Sequence, residues 1–155
     1  VQQIKSLAEL HTGSSSVQTV VTAEQQNEWF GIPLGNAEML YVGLGQVDAG
    51  IDLSELDEKD ISVGRNTIYV RLPPVQILDS KIDVEHSFVY DVRKSMLLPP
   101  DTTNLQSDAE RVALERVVET AIDSGLYEEA AENAVRVVKE LLEGFVDEEV
   151  VVVVE

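Results

Sequence analysis

The chain has 155 residues, no cysteine and a formal net charge of -18, with 29 acidic against 11 basic side chains. This length suits one domain, and the 44% hydrophobic content can form a core, so a disulfide-stapled miniprotein and a wholly disordered chain are both excluded. The acidic excess opposes binding to nucleic acid and to anionic membranes, because those partners are negative as well.

The N-terminal third is predicted to contain a helix and a strand. Apolar residues at roughly helical spacing predict a short amphipathic helix over residues 1–12. The cluster Gly13-Ser14-Ser15-Ser16 predicts a loop. Alternating Val and Thr residues then predict a half-buried strand from Ser16 to Thr22.

The middle of the chain is predicted to be mostly strand. Met39–Val47 is apolar and favours a central strand, and its Gly43 and Gly45 indicate a bulge or a close backbone approach. Residues 60–63 and 67–72 predict a β-hairpin, because the Gly and Asn between them tolerate positive φ.

After Pro73 and Pro74 end that hairpin, a further strand is predicted from His86 to Val92. Ser107 and Glu110 form a capping-box pattern that predicts the start of a helix, for which Gly125 supplies the C-terminal cap. A second helix is predicted from Tyr127 to Glu143, and the alanines of the two helices would permit a close pair.

Five consecutive valines near the C-terminus predict a closing strand. Together these elements indicate an α+β fold with a mixed, mainly antiparallel sheet, a C-terminal helical pair packed on one face and a closing Val-rich strand. We expect residues 1–155 to form a single soluble domain, and the strand order stays open.

An acidic segment over residues 48–60 is the candidate metal site. Carboxylates of Asp48, Asp52, Glu55 and Asp57 are hard oxygen ligands suited to Ca²⁺. Their spacing does not match an EF-hand loop. The alternative is a helical turn capped by Ser54 whose acidic residues face water.

No motif predicts catalysis or a cofactor. A carboxylate pair such as Asp52 and Asp57 could act as general acid and base, but 29 acidic residues make chance pairs common. The serines lie in no nucleophile elbow, and His11 and His86 are too few for a structural zinc site. Gly43-Leu44-Gly45 lacks the third glycine of a dinucleotide fingerprint. We therefore predict no catalytic residue and no cofactor.

Two features allow binding. Trp29 is an exposed binding aromatic or, as we expect, a buried packing or loop-anchoring residue. The closing strand would pair with another chain if it lay at a sheet edge, and would be an ordinary internal strand otherwise. Its candidate interaction residues are Val150, Val151, Val152, Val153 and Val154.

Over most of its length, residues 7–154, the sequence resembles a family of bacterial proteins catalogued as domain of unknown function 4230. The likeness is strongest over Val42–Asp83, with its strand ending in Val-Asp-Ala-Gly-Ile-Asp-Leu, an acidic turn, a hairpin, and Leu-Pro-Pro followed by Ile-Leu. It continues through Ala121-x-x-Ser124-Gly125-Leu126, the alanines of the second helix, Leu141-Leu142-x-Gly144-Phe145 and the valine strand.

This resemblance implies a transmembrane helix before Val1, which agrees with the absence of an initiator Met, and it implies no activity. The main hypothesis is a membrane-tethered domain, on an unknown side of the membrane, that binds a protein partner or itself through a sheet edge. The alternatives are a ligand- or Ca²⁺-binding domain that uses residues 48–60 and an acidic-residue hydrolase.

Overall fold

The computed structural model describes residues 8–95 and 104–155. The fold is α+β, as the sequence predicts. Its strands are β1 (Glu9–Trp29), β2 (Ile32–Asp52), β3 (Ile61–Val63), β4 (Thr67–Leu72), β5 (Gln76–Ile82), β6 (Phe88–Lys94) and β7 (Glu149–Val154). Its helices are α1 (Leu105–Asp123) and α2 (Leu126–Glu143), and short 3-10 turns cover Leu53–Glu55 and Glu58–Asp60.

The strands form two sheets. The first has the order β1-β2-β5, and β6 also pairs with β2, in antiparallel orientation. The second has the order β3-β4-β7, in which β3 and β4 are antiparallel and β4 and β7 are parallel. The predicted strand over Met39–Val47 is confirmed as part of β2, which lies inside the first sheet.

The chain divides into two compact units. Of the described residues, unit 1 comprises 8–15, Val47–Asp79 and Ile122–Glu155, and unit 2 comprises Ser16–Gln46, 80–95 and 104–121. The single domain expected from the sequence stays a prediction.

In unit 1, α2 covers one face of the β3-β4-β7 sheet. Its buried residues recur every fourth position and so form one stripe. Ala134 and Val138 of this stripe pack in one apolar cluster with residues of β2, β4 and β7. Ala130 also lies close to β1, because a Cβ added to Gly13 would be 3.0 Å from the Ala130 Cβ. The small helix residues thus let α2 approach the strands closely.

In unit 2, the core lies between α1 and the long strands. Ala109 and Ala113 of α1 pack against Val21 and Tyr41. A Cβ added to Gly45 would lie 2.6 Å from Val117 Cγ1, which confirms the predicted close approach at this glycine.

Two N-terminal predictions are wrong where the structure describes them. Residues 9–12, the end of the predicted helix, lie in β1, and residues 1–7 lie outside the described residues. The predicted loop at Gly13–Ser16 is also part of β1. The physical reason is that β2 offers a long pairing partner, and tertiary pairing overrides the local turn preference of Gly and Ser.

Further along the chain, the predicted hairpin of β3 and β4 is confirmed, but the positive φ angles expected in its turn are not found. Neither Gly64 nor Asn66 has a positive φ. The predicted capping box is wrong, because α1 begins at Leu105 and the Ser107 hydroxyl donates a hydrogen bond to the Asn104 carbonyl at 2.9 Å. Gly125, with φ of 91°, does end α1 in the left-handed conformation. Strand β5 was not predicted.

Candidate functional site

The predicted interaction strand lies at the edge of its sheet. Five valines give β7 a high strand propensity, because β-branched side chains suit the pleated surface. The strand pairs with β4 in an unbroken register from Thr67 with Glu149 to Leu72 with Val154. No other strand within residues 8–95 and 104–155 pairs with β7, so its second edge is open there.

The hydrogen bonds at the two ends of β7 show which backbone groups face this open edge. Glu149 N–H donates to the Asn66 carbonyl at 3.0 Å, and Glu155 N–H donates to the Leu72 carbonyl at 3.1 Å. Because backbone groups alternate sides along a strand, the odd-numbered residues face β4. The N–H and C=O groups of residues 150, 152 and 154 therefore face the open edge.

The side chains of β7 divide between two faces. Val150 and Val152 are buried in the core cluster of unit 1. Val153 is 51% exposed on the opposite face, where it lies across from Arg71 of β4. The core side thus fixes the strand in place, while its outer face stays accessible to solvent.

Acidic residues flank the valines on both sides. Asp147, Glu148 and Glu149 precede the run, and Glu155 follows it. Glu155 also lines a pocket of about 200 Å³ at the C-terminal ends of β4 and β7. Other charged residues around this pocket are Glu55, Lys59, Asp60 and Arg71. The valine run is therefore flanked by acidic residues in the sequence, and the pocket at its C-terminal end is lined by both acidic and basic side chains.

The four calcium candidates lie in different local settings. Asp48 is in β2, where its carboxylate accepts a 2.6 Å hydrogen bond from Ser14 Oγ. Asp52 caps the first 3-10 turn, which contains Glu55, and Asp57 caps the second. Among the described residues, no group of three or more His, Cys, Asp or Glu side chains could hold a metal ion.

The turn over residues 53–60 uses its carboxylates to bind backbone amides. Asp52, rather than Ser54, is the cap of the first turn, and its Oδ1 accepts from Ser54 N–H at 2.9 Å. The hydrogen bonds from the Ser54 side chain and backbone hold the pKa of Asp52 below its ordinary value. Asp60 Oδ2 likewise accepts from Asp57 N–H at 2.8 Å.

The two histidines are far apart in sequence and differ in setting. His11 lies in β1, 3.6 Å from Glu9, and not at the end of a helix. His86 Nδ1 lies 2.7 Å from Asp83 Oδ2 in the turn before β6, and this hydrogen bond lowers the pKa of Asp83. Both histidine side chains are exposed.

The expectation that Trp29 is a packing residue is wrong. Trp29 ends β1, and it is 63% exposed beside Phe30, which is 87% exposed. A Gly at position 31 after two aromatics, between two strand-like runs, was the sequence signal for a hairpin tip at this position.

Residues 2–152 match the family described as "Protein of unknown function (DUF4230)". No curated protein and no solved structure matches the chain at a significant level. Neither helix in the described part of the chain is both long and apolar enough to cross a membrane.

Proposed function

We propose, from the premise that the chain belongs to the DUF4230 family, that this domain binds a protein partner that adds a strand to the open edge of β7. The observation that carries this proposal is the edge position of β7 in the sheet order β3-β4-β7. An unpaired row of N–H and C=O groups is a template for an incoming strand, and main-chain hydrogen bonds supply the affinity.

The charges around β7 favour a basic partner over a second copy of the same strand. Dimers commonly have twofold symmetry, which would pair two β7 strands in antiparallel orientation. Glu149 of each copy would then lie near Glu155 of the other, and like charges facing each other across a strand pair are destabilising. A strand with an apolar centre and Lys or Arg at both ends would instead complement these glutamates.

A designed peptide tests this proposal on the intact protein. The probe is a fluorescent peptide with alternating Val and Thr and a Lys at each end, and its binding is measured by anisotropy. We expect binding that weakens as salt increases, because the end contacts are ionic and exposed. A matched peptide with Glu in place of each Lys should bind at least about tenfold more weakly, a difference of ~1.4 kcal/mol.

Methylation of peptide amides separates strand addition from other contacts. Two versions of the peptide carry N-methyl groups on alternate residues, so that one set faces β7 and the other faces away. One version should lose binding and the other should retain it, because only one set of amides bonds to the edge. Equal binding by both versions, or no binding by the unmodified peptide, would contradict the proposal.

Protein variants locate the contact. Val154→Pro removes an N–H that faces the open edge, at the last residue of β7, and should weaken peptide binding. Tyr69→Ala is the control. Tyr69 is 53% exposed, and its strand β4 is paired on both sides, with β3 and β7. If Tyr69→Ala weakened peptide binding and Val154→Pro did not, the peptide would bind the outer face of the sheet instead of the edge.

The membrane tether is a further part of the proposal, supported by the family resemblance. Its test is the reading frame upstream of Val1. About 20 consecutive apolar codons shortly before that position would support the tether. A polar upstream sequence throughout would contradict it.

Calcium binding and acidic-residue hydrolysis stay predictions from the sequence. Because Asp52 and Asp60 already bind backbone amides, we expect millimolar calcium to leave the thermal midpoint unchanged relative to a chelator. A clear rise of the midpoint with calcium would favour the calcium-binding alternative.

A further inference from the structure

The tip of the hairpin between β1 and β2, in unit 2, is an apolar projection. Its two turn residues are Phe30 and Gly31, with φ of 50° and 75°. Phe30 is 87% exposed, Trp29 is 63% exposed and Ile32 is 60% exposed. We define these three side chains as the apolar tip.

The residue at the first turn position is unusual for this backbone. Two-residue turns with positive φ at both positions strongly prefer Asn or Asp followed by Gly. A bulky aromatic at positive φ is rare, and Phe30 also exposes its ring to water. The ring lies edge-on to Trp29, with centroids 5.0 Å apart. Neither turn propensity nor burial within unit 2 explains this residue.

The area of the apolar tip is too small for a stable protein interface of its own. From the typical areas of aromatic side chains, the three exposed side chains present about 400–500 Å². A standard protein interface needs about 800 Å² on each partner. A lipid bilayer has no such minimum, because the binding strength of a surface-inserted segment scales with the apolar area that it buries.

The charges and residue types around the apolar tip favour a bilayer of a particular lipid charge. No charged residue occurs from Trp29 to Ala37, and β1 contains no Lys or Arg. Glu24, Glu28 and Glu38 lie on the strands next to the tip. Trp is favoured at the membrane–water interface, and the acidic neighbours oppose anionic lipid.

We propose that the apolar tip inserts shallowly into the interface of a zwitterionic lipid bilayer. This proposal does not depend on partner binding at β7. Insertion would reach only the residues beside the turn. The strand rises about 3.3 Å per residue, and the charged Glu28 directly precedes Trp29.

Trp29 is the single tryptophan of the chain and reports insertion directly. The full chain is titrated with phosphatidylcholine vesicles at millimolar lipid, and the tryptophan emission is followed. We expect a blue shift and quenching by lipids brominated on the acyl chain. We also expect vesicles that contain phosphatidylserine to bind less protein, and added salt to reduce this difference.

Phe30→Asn is the decisive variant, because it creates the favoured Asn-Gly turn and keeps the Trp29 reporter. It should bind vesicles about tenfold more weakly while its urea midpoint is unchanged or higher. Phe145→Asn is the matched control, since Phe145 is 80% exposed in unit 1, and its vesicle binding should equal that of the unchanged protein.

Three results would overturn the proposal. The first is an unchanged emission spectrum at millimolar phosphatidylcholine. The second is equal vesicle binding by the unchanged protein and Phe30→Asn. The third is a blue shift that depends on protein concentration without lipid, which would assign the apolar tip to contact between copies of the chain.

Discussion

Two strands that lie at sheet edges within the described residues, β7 in unit 1 and β6 in unit 2, differ in how far they are protected against pairing with another strand. β6 contains Asp91, Arg93 and Lys94 within the strand, and Arg93 forms a 2.9 Å ion pair with Asp91. Its register with β2 is broken, since Leu40 pairs with Asp91 and Tyr41 with Val89. Charges and bulges of this kind are how natural sheets prevent edge-to-edge pairing.

β7 has neither device. Its residues 150–154 are uncharged, and its register with β4 runs without a break over six pairs. The acidic residues stand only at the ends of the run. In this comparison, β6 carries features that prevent edge pairing along its length, whereas β7 has charged residues only at its ends.

The largest expected effect separates the core role of β7 from its edge. Val150 is fully buried, so Val150→Ala should lower the free energy of unfolding by about 2–3 kcal/mol in urea denaturation. Val153→Ala, at a half-exposed site of the same strand, should cost less than about 1 kcal/mol. Folded Val150→Ala should still bind the lysine-ended peptide, because the backbone edge is unchanged. Loss of binding by the folded variant would mean that the side chain, rather than the edge, is recognised.

Removing the Asp91–Arg93 ion pair from β6 should make this strand more similar to β7. The double variant Asp91→Thr, Arg93→Val should fold, since an exposed ion pair contributes about 0–1 kcal/mol. Its weight-average mass in light scattering should rise with concentration, because an apolar edge has been created. Arg111→Ala with Glu115→Ala removes a comparable 2.9 Å pair from α1 and should leave the mass unchanged. Equal masses for both variants would show that these charges do not protect β6.

The smallest expected effect concerns one carboxylate in each unit. The pKa of Asp52 is lowered by the hydrogen bonds from Ser54, and the pKa of Asp83 by the one from His86. Each carboxylate therefore adds stability above the unfolded-chain pKa of about 3.9, and this stability is lost as the pH falls through the lower folded-state pKa.

When the pH is lowered from about 5 to about 2, the melting temperature of the double variant Asp52→Asn, Asp83→Asn should therefore fall less than that of the unchanged protein. Glu119→Gln with Glu132→Gln removes the same charge from exposed helix positions and serves as the control. Identical pH profiles for the two double variants would show that the hydrogen bonds do not contribute.

The sequence predicts the elements whose signals are local. The valine strand, the hairpin before Pro73 and the cap at Gly125 follow from propensity, a proline stop and a left-handed glycine. The edge position of β7 could not be predicted, because it depends on which strand lies beside β4. The length of β1 was missed because Gly13–Ser16 favours a turn until β2 pairs with it. The candidate site was thus predicted as a strand but not as an edge.

Amide hydrogen exchange at β7 tests the central claim most directly. In the protein alone, the amides of Val151 and Val153 should exchange slowly, because they face β4, and those of Val150, Val152 and Val154 should exchange faster. Saturation with the lysine-ended peptide should slow the second set and leave the first set nearly unchanged. Equal protection of both sets in the free protein, or no added protection of Val150, Val152 and Val154 with bound peptide, would contradict strand addition at this edge.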